Sequence, residues 1–145
     1  MPLNGMNVGT DYTFLYYDGM TGALVQMGDI QNIRIAAQKH DIKTMPYNDF
    51  PRYGYVPDGF KIDFTITRNV STLEDLMVTF ANNFQNGTLI RPGYLNESIN
   101  NWDGTISRYQ YVNFVTFLTD HGDISREKIV TIKFEGMASK KIQIA

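Results

Sequence analysis

The sequence predicts a mainly β fold, an antiparallel β-barrel or sandwich with one flanking α-helix. Three observations carry that expectation. Apolar and polar residues alternate with period two, most plainly Phe60, Ile62, Phe64 and Ile66 against Lys61, Asp63, Thr65 and Thr67. Turn signals such as Asp18-Gly19, Thr21-Gly22 and Asp103-Gly104 separate the alternating runs. One stretch alone, residues 71–86, has its apolar residues at helical spacing. The 145 residues fit a single domain, 1–145. A chain of this size buries about 70% of its unfolded surface, enough for a core without staples.

Composition narrows the functional classes. Hydrophobic residues make up 43% and charged residues 19%, which suits a folded domain rather than a disordered chain. Nine Tyr and nine Phe favour pleated, half-buried strands. The absence of cysteine excludes disulfides, thiolate catalysis and Cys-ligated zinc. No run approaches the roughly 20 apolar residues that span a bilayer, so membrane insertion is not expected. The start, Met1 to Met6, lacks a basic segment followed by an apolar one, so no signal peptide is expected. Net charge is −2, and Lys140-Lys141 is the sole basic cluster, unlike a general nucleic-acid binder.

Along the chain, residues 12–17 (YTFLYY) read as a strand that ends at Asp18-Gly19. A short strand is expected at 23–27 and a long one at 30–43, with Ile33, Ile35 and Ala37 on one face. A long Pro/Tyr loop follows at about 44–58. It holds Pro46, Pro51 and Pro57, which supply no amide donors, and Tyr47, Phe50, Tyr53 and Tyr55. Such long loops are usually functional or disordered, and the rings argue against disorder. The end of that loop, Val56-Pro57-Asp58-Gly59, reads as a tight turn. The Phe60–Ile66 alternation then makes a strand with one apolar and one wet face.

Ser71 and Glu74 form a capping box, and Leu73, Leu76, Met77, Phe80 and Phe84 follow on one helical face. Asn86-Gly87 stops the helix, which must dock on a sheet to be stable. Residues 88–102 read as irregular, with Pro92-Gly93 and many Asn. Residues 107–119 form a strand with apolar residues on both faces: Tyr109, Tyr111, Val115 and Phe117 on one, Val112, Phe114 and Leu118 on the other. After a turn at His121-Gly122-Asp123, strands are expected at 128–135 and 141–144.

No catalytic, cofactor or metal site emerges. His40-Asp41 and His121-Gly122-Asp123 have no nucleophile motif or metal-ligand spacing beside them. Glu74 and Asp75 suit the first turn of a helix, and adjacent helical residues do not face each other. Asp18, Asp58, Asp103, Asp120 and Asp123 fit turns. The glycines around Asn4-Gly5 make no phosphate loop, since no strand precedes them. Asn96-Glu97-Ser98 matches a glycosylation sequon without a secretory context. The Pro/Tyr loop is the better candidate. Tyr and Arg concentrate at interface hot spots, so Tyr47, Phe50, Arg52, Tyr53 and Tyr55 read as a contact surface, against the alternative of a loop folded over its own barrel.

Several stretches together resemble the tail tube proteins of contractile-tailed phages. They are Lys39-His40-Asp41-Ile42, the loop into Arg52-Tyr53-Gly54-Tyr55-Val56-Pro57-Asp58-Gly59, and the 60–68 strand. The helix opening Ser71-Thr72-Leu73-Glu74-Asp75 and the 120–139 run belong to the same likeness, which covers nearly the whole chain. Type VI secretion tube proteins share that architecture. The resemblance implies homohexameric rings whose sheets join into an inner barrel, stacked into a tube within a sheath, with residues 45–55 in inter-ring or inter-subunit contact. It implies tail sheath, baseplate and tape-measure proteins as partners, and DNA passing through the lumen without specific binding. It implies a place in the virion tail after assembly in the host cytoplasm, and no enzymatic activity. Two alternatives stand beside it: a baseplate protein that initiates the tube, and a small-ligand or carbohydrate-binding β-barrel with Trp102 and tyrosines in its cleft.

Overall fold

The structure, a computed structural model, describes residues 5–27, 29–88 and 91–144. Residues 1–4, 28, 89–90 and the last residue lie outside the described residues. They include Asn4 of the glycine-rich start, most of the segment tested for a leader, and part of the stretch expected to be irregular. After one 3-10 turn at Gly9–Asp11 come β1 (Tyr12–Tyr17), β2 (Leu24–Val25), β3 (Asp29–Thr44) and β4 (Arg52–Thr67). Then follow α1 (Thr72–Gln85), β5 (Gly93–Asn100), β6 (Ile106–Asp120), β7 (Thr131–Ala138) and β8 (Lys140–Gln143). The strands make one antiparallel eight-stranded sheet in the order β2-β1-β5-β6-β7-β4-β3, with β8 also paired to β6.

The fold is thus mainly β with one helix, as expected, but the sheet does not close into a barrel. β2 spans two residues and covers only Tyr16 and Tyr17 of β1. Among the described residues no strand joins β1 or β2 to β3, so both ends of the sheet stay open.

β6 lets one sheet wrap a core. Its first half pairs with β5 and β8, and its second half with β7. Between them Asn113 has φ 54, a left-handed conformation that Asn tolerates better than most residues. The kink shifts the alternation by one residue. Tyr111 points inward, and beyond the kink Phe114 and Thr116 do so, leaving Val115 and Phe117 exposed. Sequence alternation had grouped Tyr111 with Val115 and Phe117, because an unbroken strand keeps one parity.

Ring contacts then knit the core. Tyr16 meets Phe114 edge-on at 5.3 Å, Phe60 meets Tyr111 at 5.4 Å, and Phe64 stacks on Phe134 at 5.2 Å. In β4, Ile62, Phe64 and Ile66 are buried while Lys61 is exposed, as the alternation predicted. β7 buries Ile132 and Phe134 in the same way but begins three residues later than expected.

Two other expectations change. Residues 93–100 are a buried strand, not irregular chain, with Leu95 and Glu97 facing in. Their Asn-rich composition masked the alternation. The helix is present, yet Ser71 makes no side-chain cap bond. Glu74 instead accepts from Arg68 Nε at 2.8 Å, so the capping box is replaced by an ion pair to the preceding strand. Leu73 is buried and Leu76 and Met77 pack on the core, but Phe84 and Val78 remain exposed.

Candidate assembly site

The long Pro/Tyr loop of the sequence reading is mostly strand. β3 and β4 run on together past the sheet, through six cross-strand pairs from Lys39↔Pro57 to Thr44↔Arg52, and only residues 45–51 form a loop. The expected turn at residues 56–59 lies inside β4. Pro57 falls at a register shift, a place where a missing amide is tolerated. Gly59 has φ 86, and a Cβ there would sit 2.6 Å from the Ala138 carbonyl oxygen. Two turn-forming residues thus serve as a bulge, and Asp58 is a strand residue. Of the other aspartates, Asp18, Asp103 and Asp120 keep turn roles. Asp18 accepts from Met20 N–H, Asp103 from Thr105 N–H and hydroxyl, and Asp120 from Gly122 N–H, while Asp123 faces Lys128 at 3.7 Å.

Beyond the bulge β4 has left β7, whose pairing with it stops at Phe60↔Ala138. The result is a two-stranded arm, bare on both edges and both faces. Pairs directly opposite share a face, so Lys39, Asp41, Lys43, Tyr53 and Tyr55 lie on one side. There Lys43 Nζ stands 5.6 Å from the Tyr53 ring, and Lys39 Nζ 5.7 Å from that of Tyr55. The other side carries His40, Ile42, Thr44, Arg52 and Val56. At the tip Arg52 donates to Asp49 at 3.1 Å. Tyr47 is 93% exposed, Phe50 83%, Tyr53 75% and Tyr55 65%. The structure therefore gathers all five expected contact residues on one projection. An isolated two-stranded ribbon is marginal in water, and monomeric proteins rarely expose large contiguous apolar patches.

An open cleft of about 1210 Å³ lies between the sheet's two open ends. Tyr12, Thr13 and Phe14 of β1 line one wall, and Ile30, Ile33 and Ile35 of β3 the other. At its floor Glu97 is buried, with Lys141 Nζ 3.6 Å from its Oε1. Lys141 also stands 4.3 Å from the Tyr109 ring and 5.3 Å from that of Tyr111. Burial, then the Glu97 charge, pushes the Tyr111 hydroxyl pKa up. Burial works against charge on Lys141, but Tyr111 and Glu97 outweigh it and hold its pKa above the usual lysine range.

Sequence reasoning missed this group, although the inward parity of Glu97 between Leu95 and Ile99 was a usable signal. Trp102 lies exposed in the β5–β6 turn and does not line the cleft, contrary to the ligand-barrel expectation. His40 is on the arm, and His121 follows β6. Among the described residues no three His, Asp or Glu side chains cluster as metal ligands would. No described helix is long and apolar enough to cross a membrane.

In overall fold the chain is similar to chains in solved structures of contractile injection machines. A chain of the six-fold symmetrised anti-feeding prophage baseplate aligns with TM-score 0.58 and 7% identity, over 98% of this chain and 97% of that one. A chain of the sheath–tube complex of an extracellular contractile injection system, PVC, aligns with TM-score 0.56 and 14% identity, over 91% and 88%. The tube-terminating cap of the anti-feeding prophage aligns with TM-score 0.55 and 16% identity, over 99% of each chain. No protein-family model and no curated protein sequence matches the chain.

Proposed function

We propose that this chain is a non-enzymatic structural subunit of the inner tube of a contractile, phage-tail-like machine. It forms stacked hexameric rings around a conduit for the machine's cargo, which in a phage tail is DNA. Its partners are further copies of itself, with sheath, baseplate and tape-measure proteins around and along the tube. The observation that carries this reading is the outer edge of β3, sixteen residues with no strand beside it among the described residues, running into a bare aromatic arm. Soluble proteins normally blunt or cover such an edge. Head-to-tail joining covers it and closes into a ring when the rotation allows. The fold likeness to chains of baseplate, sheath–tube and tube-cap structures supports the same reading. A net charge of −2 is compatible with a conduit that does not grip phosphate.

The baseplate tube initiator is the second reading, favoured by the baseplate alignment over nearly the full chain. Negative-stain electron microscopy across a concentration series tests both. Stacked six-fold tubes are expected for a tube subunit and single unstacked rings for an initiator. Compact monomers at every concentration would overturn the self-assembly reading.

A further inference from the structure

Both walls of the cleft are strand edges without a neighbour. β1 pairs with β5 on one side and, on the other, only Tyr16 and Tyr17 pair with β2. β3 pairs with β4 alone. The cleft is therefore the gap in an unfinished barrel. An extended segment laid into it would meet unpaired backbone groups at β1 or β3 and an apolar floor, the setting in which strand addition works.

The arm has the matching form. Its six pairs span about 20 Å, against about 13 Å for the free part of β1, and both its outer edges lack partners. Its face with Ile42 and Val56 suits the Ile33, Ile35 and Phe60 lining of the cleft. Of the charged side chains on the arm strands only Arg52 lies on that face; Lys39, Asp41 and Lys43 lie on the other and stay outside the cleft. The arm extends β3 and β4 away from the sheet, and β3 itself forms a wall of its own chain's cleft. The fitting occupant is therefore another copy.

We propose that the arm of one subunit fills the β1–β3 cleft of a second copy, aliphatic face inward, and completes its barrel. This rests on the proposed self-assembly through the arm and adds where the arm lands. Docking of this kind is heterologous, since donor and acceptor surfaces differ, and it propagates from copy to copy.

The cysteine-free chain permits a direct test. Tyr12→Cys, on the same inward parity as Phe14 and Tyr16, marks the cleft wall, Ile42→Cys the inward face of the arm and Tyr55→Cys its outward face; all three residues are exposed. Two single-cysteine proteins are mixed, assembled and oxidised, so any disulfide between Tyr12→Cys and Ile42→Cys joins two chains. That pair is expected to link at least about ten-fold faster than Tyr12→Cys with Tyr55→Cys, because a disulfide needs Cα atoms within about 7 Å and facing Cβ vectors. Tyr47→Ala and Arg52→Ala are tested for assembly alongside. Assembly that depends on those residues without cleft cross-linking would overturn the cleft and leave the arm contact standing. Assembly indifferent to both variants, with no cross-link, would overturn both. Mixtures that stay monomeric throughout would overturn the self-assembly on which the cleft proposal rests.

Discussion

Tyr16 is fully buried, and its hydroxyl finds no partner among the described residues. Burial, helped by the Asp18 charge, lifts its pKa from 10.0 to about 12. The folded chain thus holds this proton after the unfolded chain has begun to lose it. The stability linked to it is full below pH 10 and is lost as pH rises through about 12. That two-unit shift corresponds to about 3 kcal/mol. Urea unfolding from about pH 8 to pH 12 is expected to show this extra loss in the parent and not in Tyr16→Phe. Near neutral pH the same variant is expected to be as stable as the parent or about 1 kcal/mol better, since it removes an unpaired buried hydroxyl. A loss above about 1 kcal/mol would mean that the hydroxyl has a partner. The Glu97–Lys141 pair behaves oppositely. Lys141→Met strands a buried carboxylate and is expected to cost about 1–3 kcal/mol, below the fully buried case because Lys141 is partly exposed. Adding Glu97→Gln is expected to restore part of that loss in chemical denaturation.

At the level of elements, the bulge at Pro57 and Gly59 decides whether the arm can leave the sheet. Gly59→Ala combines positive φ with a close approach to the Ala138 carbonyl, so a loss above about 1 kcal/mol is expected in thermal unfolding. The tip differs. Tyr47→Ala and Arg52→Ala remove exposed side chains and are expected to shift monomer stability by less than about 0.5 kcal/mol while shortening or abolishing tubes in micrographs. Normal tube length in both variants would remove the arm from the interface. In the helix, Leu73→Ala is expected to cost about 2–5 kcal/mol, and Phe84→Ser almost nothing, by the same denaturation assay. This contrast marks what the sequence revealed. Alternation exposed β1, residues 32–37 of β3 and the inner half of β4, because each keeps one parity against one core. It failed at Pro57, where a turn-like tetrapeptide is a bulge, and at residues 93–100, where Asn hid a strand. It also failed at Asn113, where one left-handed residue inverts the faces, and at Phe84, whose helical spacing matches a stripe that the sheet does not reach.

For the whole molecule, the sequence disclosed the class of fold but not its open ends. Closure depends on which strands pair across long separations, and the two-residue length of β2 is set by that pairing rather than by local propensity. The five contact residues were legible by type as a cluster of aromatic rings and one arginine, and their placement on a projecting ribbon was not. The cleft was invisible, because it is made from residues far apart in the chain. The unpaired length of β3 also gives the free chain a clock. Encounters between such edges rise with the square of concentration, and edges that meet outside the intended geometry seed aggregates. A cell making this protein must therefore match its synthesis to the rate at which growing ends consume it, and a purified stock should age faster the more concentrated it is kept.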